Sequence, residues 1–306
     1  MKNRITIALI LLTLVGFAQQ RPVQSLYMFD PLLLNPAYAG TQVQLSATAI
    51  YRNQWINLEG APKTMTGTVH SGFLRNRVGL GLIFSDDQIG IHHDVSVYGA
   101  YAYRINLSKR TSLSMGLQGG FNNIKSDYNK LNLKNPGDPN LFGVLQKVNP
   151  NVGAGLYLRH NNYYVGLSVP YMINNSVYNF EGETIGLARQ RRYYYMMAGT
   201  KIPLADYLDF FPSILMRFQE RAPYSMDVNG TLVLYKTVGL GLSARNTEGL
   251  IGLFELQLNE NFHVGYSYDF TASDLNQFSA GSHEIMLNYR VRITRIHKGL
   301  ECPSYW

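Results

Sequence analysis

The sequence predicts an all-β fold: a transmembrane antiparallel β-barrel of about fourteen strands, preceded by an N-terminal segment that is not strand. Three observations lead there. Apolar and polar residues alternate with period two through most of the chain. Charged residues fall on the polar side of that alternation, and the connections are by turns short and long.

The chain begins with an export signal. Lys2 and Arg4 precede an apolar run, Ile5 to Val15, interrupted only by Thr6 and Thr13, and Gly16-Phe17-Ala18 offers a small-residue cleavage site. Residues 1–18 are therefore expected to be a signal peptide, with Gln19 as the mature start. No later run of about eighteen apolar residues exists to form a membrane helix. The content of 46% hydrophobic and 15% charged residues is nevertheless lean in charge for a water-soluble domain. Twenty-two Tyr and 28 Gly suit a barrel with aromatic interfaces and a roomy lumen, and the lone Cys302 excludes a disulfide framework. The formal charge is +7, or +5 without Lys2 and Arg4, and the cations are scattered singly, so nucleic acid is not an expected partner.

Residues 19–41 do not alternate. They are too apolar for a solvated tail and too rich in Pro for a helix, and are expected to pack in or across the barrel. The barrel itself is assigned to 42–293, with strands near 43–56, 63–74, 77–85, 95–106, 112–124, 151–159, 163–171, 191–202, 208–218, 225–235, 237–246, 249–258, 262–270 and 283–293. Asp209, Arg217, Asp227, Arg245, Glu255, Asp269, Glu284, Arg290 and Arg292 all lie on the polar faces. A cation facing lipid at the midplane would cost about 2–4 kcal/mol, so those faces should line the lumen. A soluble sandwich also alternates, but short turns such as Arg75-Asn76 facing longer loops such as 86–94, 125–150 and 172–190 are the outer-membrane pattern. Tyr98, Tyr101, Tyr103, Tyr163, Tyr164 and Tyr193–Tyr195 are candidates for the membrane interfaces. Residues 294–306 form a tail beyond the last strand.

Chemistry is scarce. His92-His93-Asp94 with Asp86-Asp87 is the one dense polar cluster. Neighbouring His side chains diverge, however, and no nucleophile or metal-ligand spacing accompanies them, so a solvated loop is expected. Asn135-Pro136-Gly137-Asp138-Pro139-Asn140 is turn chemistry with too few carboxylates for calcium. Gly79-x-Gly81 and Gly239-x-Gly241 lie inside strands, where they give room for a bend or a close approach rather than cradling a nucleotide. No catalytic residue, metal ligand or cofactor is expected.

Residues 27–40 read Tyr-Met-Phe29-Asp30-Pro31-Leu-Leu-Leu-Asn35-Pro36-Ala37-Tyr38-Ala39-Gly40. They are followed by Tyr51-Arg52-Asn53-Gln54-Trp55 and then Glu59-Gly60-Ala61-Pro62-Lys63-Thr64. In this order the three motifs resemble the PorP/SprF family of Bacteroidetes outer-membrane proteins. The resemblance implies a barrel of the type IX secretion system, acting in secretion or cell-surface attachment of cargo, gliding adhesins included, that carries a type B C-terminal sorting domain. It further implies contact with the lipid bilayer, with a periplasmic peptidoglycan-associated lipoprotein and with the type IX machinery. The alternatives from the residues alone are a general or solute-specific outer-membrane channel, and a hydrolase built on His92, His93 and Asp94. For the signature residues themselves, locking the first strands together is the competing structural role.

Overall fold

In the computed structural model, residues 24–42, 44–130, 143–175, 192–220, 223–246, 249–271 and 279–291 are described. The signal peptide, the Asn135–Asn140 turn, Arg292 and the tail with Cys302 lie outside them. Fifteen strand segments follow the chain: β1 (Leu45–Asn53), β2 (Lys63–Phe73), β3 (Val78–Ile89), β4 (His92–Asn106), β5 (Thr111–Asp127), β6 (Val144–His160), β7 (Tyr163–Val169), β8 (Tyr193–Thr200), β9 (Ile202–Ala205), β10 (Leu208–Gln219), β11 (Ser225–Leu234), β12 (Val238–Arg245), β13 (Gly249–Gln257), β14 (Phe262–Thr271) and β15 (Ser282–Val291). β8 and β9 both pair with β10 and form one wall strand interrupted at Lys201, two residues before Pro203, which has no N–H for the ladder. The wall is therefore a closed antiparallel barrel of fourteen strands. Leu45 pairs with Val291, so β1 meets β15, while β10 meets β11 elsewhere in the ring.

One barrel end carries the short turns 74–77, 107–110, 161–162, 206–207, 235–237 and 258–261, together with the start of β1 and the end of β15. By the rule for such barrels this end is periplasmic and the other faces outward. The outward connections are less uniform than expected. Residues 86–94 are not a loop: β3 continues to Ile89 and β4 starts at His92, leaving a tight turn at 90–91. Much of 125–150 is strand as well, because β5 runs to Asp127 and β6 starts at Val144. Above the bilayer both strand faces meet water. Apolar alternation then stops being required while the backbone ladder continues, and this is why Asp86-Asp87-Gln88 does not read as strand.

Side chains sort as the alternation requires. Leu80, Leu82, Leu117, Leu240, Leu242, Ile285 and Leu287 point out to the lipid, whereas Arg217, Asp227, Arg245, Glu255, Asp269 and Glu284 are buried inside. Arg245 grips Asp227 through Nε (2.9 Å) and Nη2 (2.8 Å), a bidentate pair that neutralises two luminal charges. The tyrosines divide between the two faces. Tyr101, Tyr103, Tyr163 and Tyr194 face outward, but Tyr98, Tyr164, Tyr193 and Tyr195 are luminal. Adjacent residues of a strand take opposite faces, so a run of tyrosines cannot all belong to one girdle.

Candidate functional site

The lumen is occupied by the chain's own residues 24–42. Turns at Leu26–Phe29 and Tyr27–Asp30 lead into two short 3₁₀ turns, Pro31–Leu33 and Pro36–Tyr38. Each opens on a proline, whose fixed φ suits a first helical position and whose missing N–H prevents strand pairing there. Asn35 caps the second turn by accepting from the Ala37 N–H at 2.9 Å. Leu26, Tyr27, Met28, Phe29, Leu32, Leu34, Ala37, Tyr38 and Ala39 are all buried, so the barrel's apolar core is this plug and the side chains around it.

At its outward end the plug is held by charge. The Ser25 and Leu26 N–H groups donate to Glu284 at 2.8 Å each, and Ser25 Oγ donates to Asp269 at 2.9 Å. Arg52 closes the cluster: Nη1 reaches Ser25 Oγ (2.9 Å) and Glu284 (3.0 Å), and Nη2 reaches Asp269 (2.6 Å). All three ionic side chains are at most 6% exposed, so each depends on the others for compensation. Arg52 lies one residue from the outward end of β1, so the plug enters β1 after descending the full lumen.

Midway, Tyr27 Oη accepts from Asn229 Nδ2 at 2.6 Å, and Thr68 donates to Asp30. Asn35 Nδ2 donates to the Leu156 carbonyl of β6 (2.9 Å) and Ser168 Oγ of β7 to the Leu34 carbonyl (2.6 Å). The Tyr38 ring meets His70 and Tyr157 edge-on at 5.5 and 5.4 Å. At the periplasmic end His70 Nδ1 accepts from the Gly40 N–H (3.3 Å), and Arg159 donates to the Thr41 carbonyl (2.7 Å).

The barrel wall carries the imprint of the plug. A Cβ on Gly79 would overlap the Ala39 carbonyl, on Gly116 the Ala37 nitrogen, and on Gly155 the Asn35 side chain. Gly40 itself has φ +64°, and a side chain there would meet the Ser71 carbonyl at 2.7 Å. The close approach expected at Gly79-x-Gly81 is thus an approach of the plug, with Leu32 against Gly81.

Asp30 belongs to the plug, and burial pushes its carboxyl above the ordinary carboxylate range, against the lowering effects of Thr68 and Thr48 hydrogen bonds and of Arg290. A raised folded-state pKa means stability present at low pH and lost as pH rises through that pKa. Asp30→Asn keeps an acceptor for Thr68 without the charge. It is expected to leave the barrel at least as stable at neutral pH and to flatten the pH dependence, as urea titrations at pH 4 and 7.5 would show.

The signature residues separate into two groups. Phe29 to Gly40 and Arg52 meet in the lumen. Tyr51 faces lipid, and Asn53 pairs with His283 and Lys63 at the outward end of the wall. Gln54 to Pro62 form an outward loop. In it the Gln54 N–H donates to the Pro62 carbonyl (3.0 Å), the Trp55 N–H to Ser282 Oγ (3.2 Å), the Ala61 N–H to the Leu58 carbonyl (3.2 Å), and the Gly60 carbonyl accepts from Gly90 (3.0 Å). Ile56 pairs with Ala280 and Gly281, so Trp55, Glu59, Gly60, Ala61 and Pro62 belong to a rim joined to two neighbouring connections. Asp269 and Glu284 were legible only as luminal charges. Their place in the plug anchor depends on a register that joins chain segments more than two hundred residues apart.

His92 and His93 do not converge. His92 Nδ1 meets Ser126 Oγ (2.8 Å) on the inner face, whereas His93 Nε2 meets Asp86 (2.9 Å) on the outer face. Among the described residues no three His, Cys, Asp or Glu side chains gather as a metal site.

Among solved structures, the CymD monoaromatic hydrocarbon channel superposes with a TM-score of 0.51 at 10% identity, covering 92% of this chain and 96% of that one. The Acinetobacter baumannii outer membrane protein Omp33 gives 0.45 at 11% identity over 83% and 100%. A Pseudomonas aeruginosa FadL homologue gives 0.43 at 12% over 83% and 90%. No curated protein matches the chain. A family model described as type IX secretion system membrane protein PorP/SprF matches residues 16–289, which takes in both the plug and the barrel, and the chain therefore belongs to the PorP/SprF family of outer-membrane barrels.

Proposed function

We propose that the protein is a non-enzymatic component of type IX secretion, required for secretion or surface attachment of cargo with a type B C-terminal sorting domain. The carrying observation is the filled lumen. Residues 24–42 run through the lumen, and inward side chains of β10 to β15, such as Leu215, Asn229, Thr231, Ser243, Glu255 and Ser267, are almost wholly buried. A barrel whose lumen is occupied by its own chain is suited to offering surfaces, and membership of a secretion family gives those surfaces a purpose. On this reading the outward rim, with Trp55 and Glu59 to Pro62, holds cargo. The short-turn end then faces a periplasmic peptidoglycan-associated lipoprotein and the rest of the machinery. Deleting the gene should leave type B cargo unattached, as immunodetection on intact cells would reveal. Cargo fully exported and retained in the deletion strain would overturn the proposal.

A further inference from the structure

We infer that the outer wall of β2 to β5 holds an anionic phospholipid of the periplasmic leaflet, with an acyl chain in a groove of the wall and the headgroup among four cations of the turns beneath it. The inference goes beyond the cargo reading and does not depend on it.

The groove is built on two glycines that the protein's own packing does not explain. Gly79, Gly116 and Gly155 point inward and are small because the plug lies against them. Gly99 and Gly119 instead pair with each other across β4 and β5, in an unbroken register, and point outward to the lipid. A Cβ on Gly119 would meet nothing within 4 Å, and one on Gly99 only the Gly119 carbonyl oxygen at 3.9 Å. Glycine weakens a strand, and where no bulge calls for it, it marks the close approach of something else. Here it leaves a cavity of about 610 Å³ among exposed Leu80, Leu82, Tyr101 and Leu117, lined almost wholly by apolar groups. The cavity extends to Phe73, the last residue of β2. Val69 is level with Gly99 through Leu82, and from there to Phe73 the strand advances about 13 Å. The groove thus runs from the periplasmic rim toward the middle of the bilayer.

Charge lies directly below it. The β2–β3 turn carries Arg75 and Arg77 and the β4–β5 turn Lys109 and Arg110, all exposed, with no acid in either turn. The other four short turns together hold one cation, Lys236, against Asp206 and Glu260. Among the described residues none of the four cations joins an ion pair.

What fills the groove follows from where it lies. A loop or tail of this chain laid there would leave its backbone donors unsatisfied in hydrocarbon. A second copy docked through the same face would set these cations against their own kind. An acidic lipid meets neither objection, because its chain is apolar where the groove is and its phosphate is anionic where the cations are.

Native mass spectrometry of the purified barrel tests the assignment. The parent should retain dioleoyl phosphatidylglycerol roughly tenfold better than dioleoyl phosphatidylcholine, since one cation beside an acidic headgroup is worth up to about fivefold. Gly99→Leu/Gly119→Leu fills the groove without crowding the ladder. It should fold, with unchanged heat-dependent gel migration, and lower retention of phosphatidylglycerol roughly fivefold or more, the value of a few buried methylenes. Gly252→Leu, an outward position on β13, should leave retention unchanged. Arg75→Gln/Arg77→Gln/Lys109→Gln/Arg110→Gln should abolish the preference between the two lipids. Unchanged retention in the folded leucine pair would overturn the inference, as would equal retention of both lipids by the parent. A protein that copurifies with the parent and is released by the leucine pair would assign the groove to that partner and overturn the lipid.

Discussion

Arg52→Ala is expected to lower the stability of the barrel by about 3–5 kcal/mol, the cost of stranding buried charge without its partner. The substitution leaves Glu284 and Asp269 facing each other in a site from which water is excluded, with only Ser25 and two backbone N–H groups to hold them. It also loosens the outward end of the plug, since Ser25 Oγ loses its donor. Arg52→Ala/Asp269→Asn/Glu284→Gln should recover much of the loss, because the uncompensated charges go with the arginine. Urea unfolding in lipid or detergent, read as a double-mutant cycle, separates charge compensation from simple packing. An Arg52→Ala barrel within about 0.5 kcal/mol of the parent would show that the cluster does not anchor the plug.

Replacing residues 27–38 by a Gly/Ser chain of equal length should convert a plugged barrel into a conducting one. The replacement removes Tyr27, Phe29, Leu32, Leu34 and Tyr38, each contributing about 1.5–3 kcal/mol by burial as an upper estimate. What remains inside is a wall of Ser, Thr, Asn and charged side chains mixed with apolar ones such as Ile50, Tyr157, Met197 and Met286, around a space that water would enter. Planar-bilayer recordings should be silent for the parent protein and show discrete openings for the variant. Openings of equal size in the parent would instead identify a channel and remove the plug from the account. A folded but silent variant would mean that other parts of the chain close the lumen.

Both outcomes turn on how much of the molecule alternation can express. Two weakly patterned segments illustrate the limit. In β1, Ser46, Thr48, Ile50 and Arg52 face inward and Ala47, Ala49 and Tyr51 outward, so the outward face is apolar and the inward one mixed, because Ile50 packs beside Met286 and Thr66 in a lumen that is itself partly apolar. Before β8, Arg192 precedes the first strand residue and donates to the Met172 carbonyl at 2.6 Å, which removes it from the lipid face its spacing suggested. Along β3 and β4 the ladder outlasts the pattern. Once a strand clears the bilayer, hydrogen bonding alone maintains it, and the hydrophobic period carries no information about where it stops.

Sequence by itself determined the class of fold, the barrel's strand number and the sidedness of its charges, because each is a local demand of the bilayer repeated strand by strand. It also marked residues 27–40 as a segment that had to be buried somewhere, since Pro31 and Pro36 forbid a strand and the apolar side chains forbid exposure. Only the tertiary structure decided where: inside the lumen, outward end first, fitted against Gly79, Gly116 and Gly155 and anchored through Arg52, Asp269 and Glu284. Those contacts join the first strand to the last, and no periodicity records a register between residues that distant.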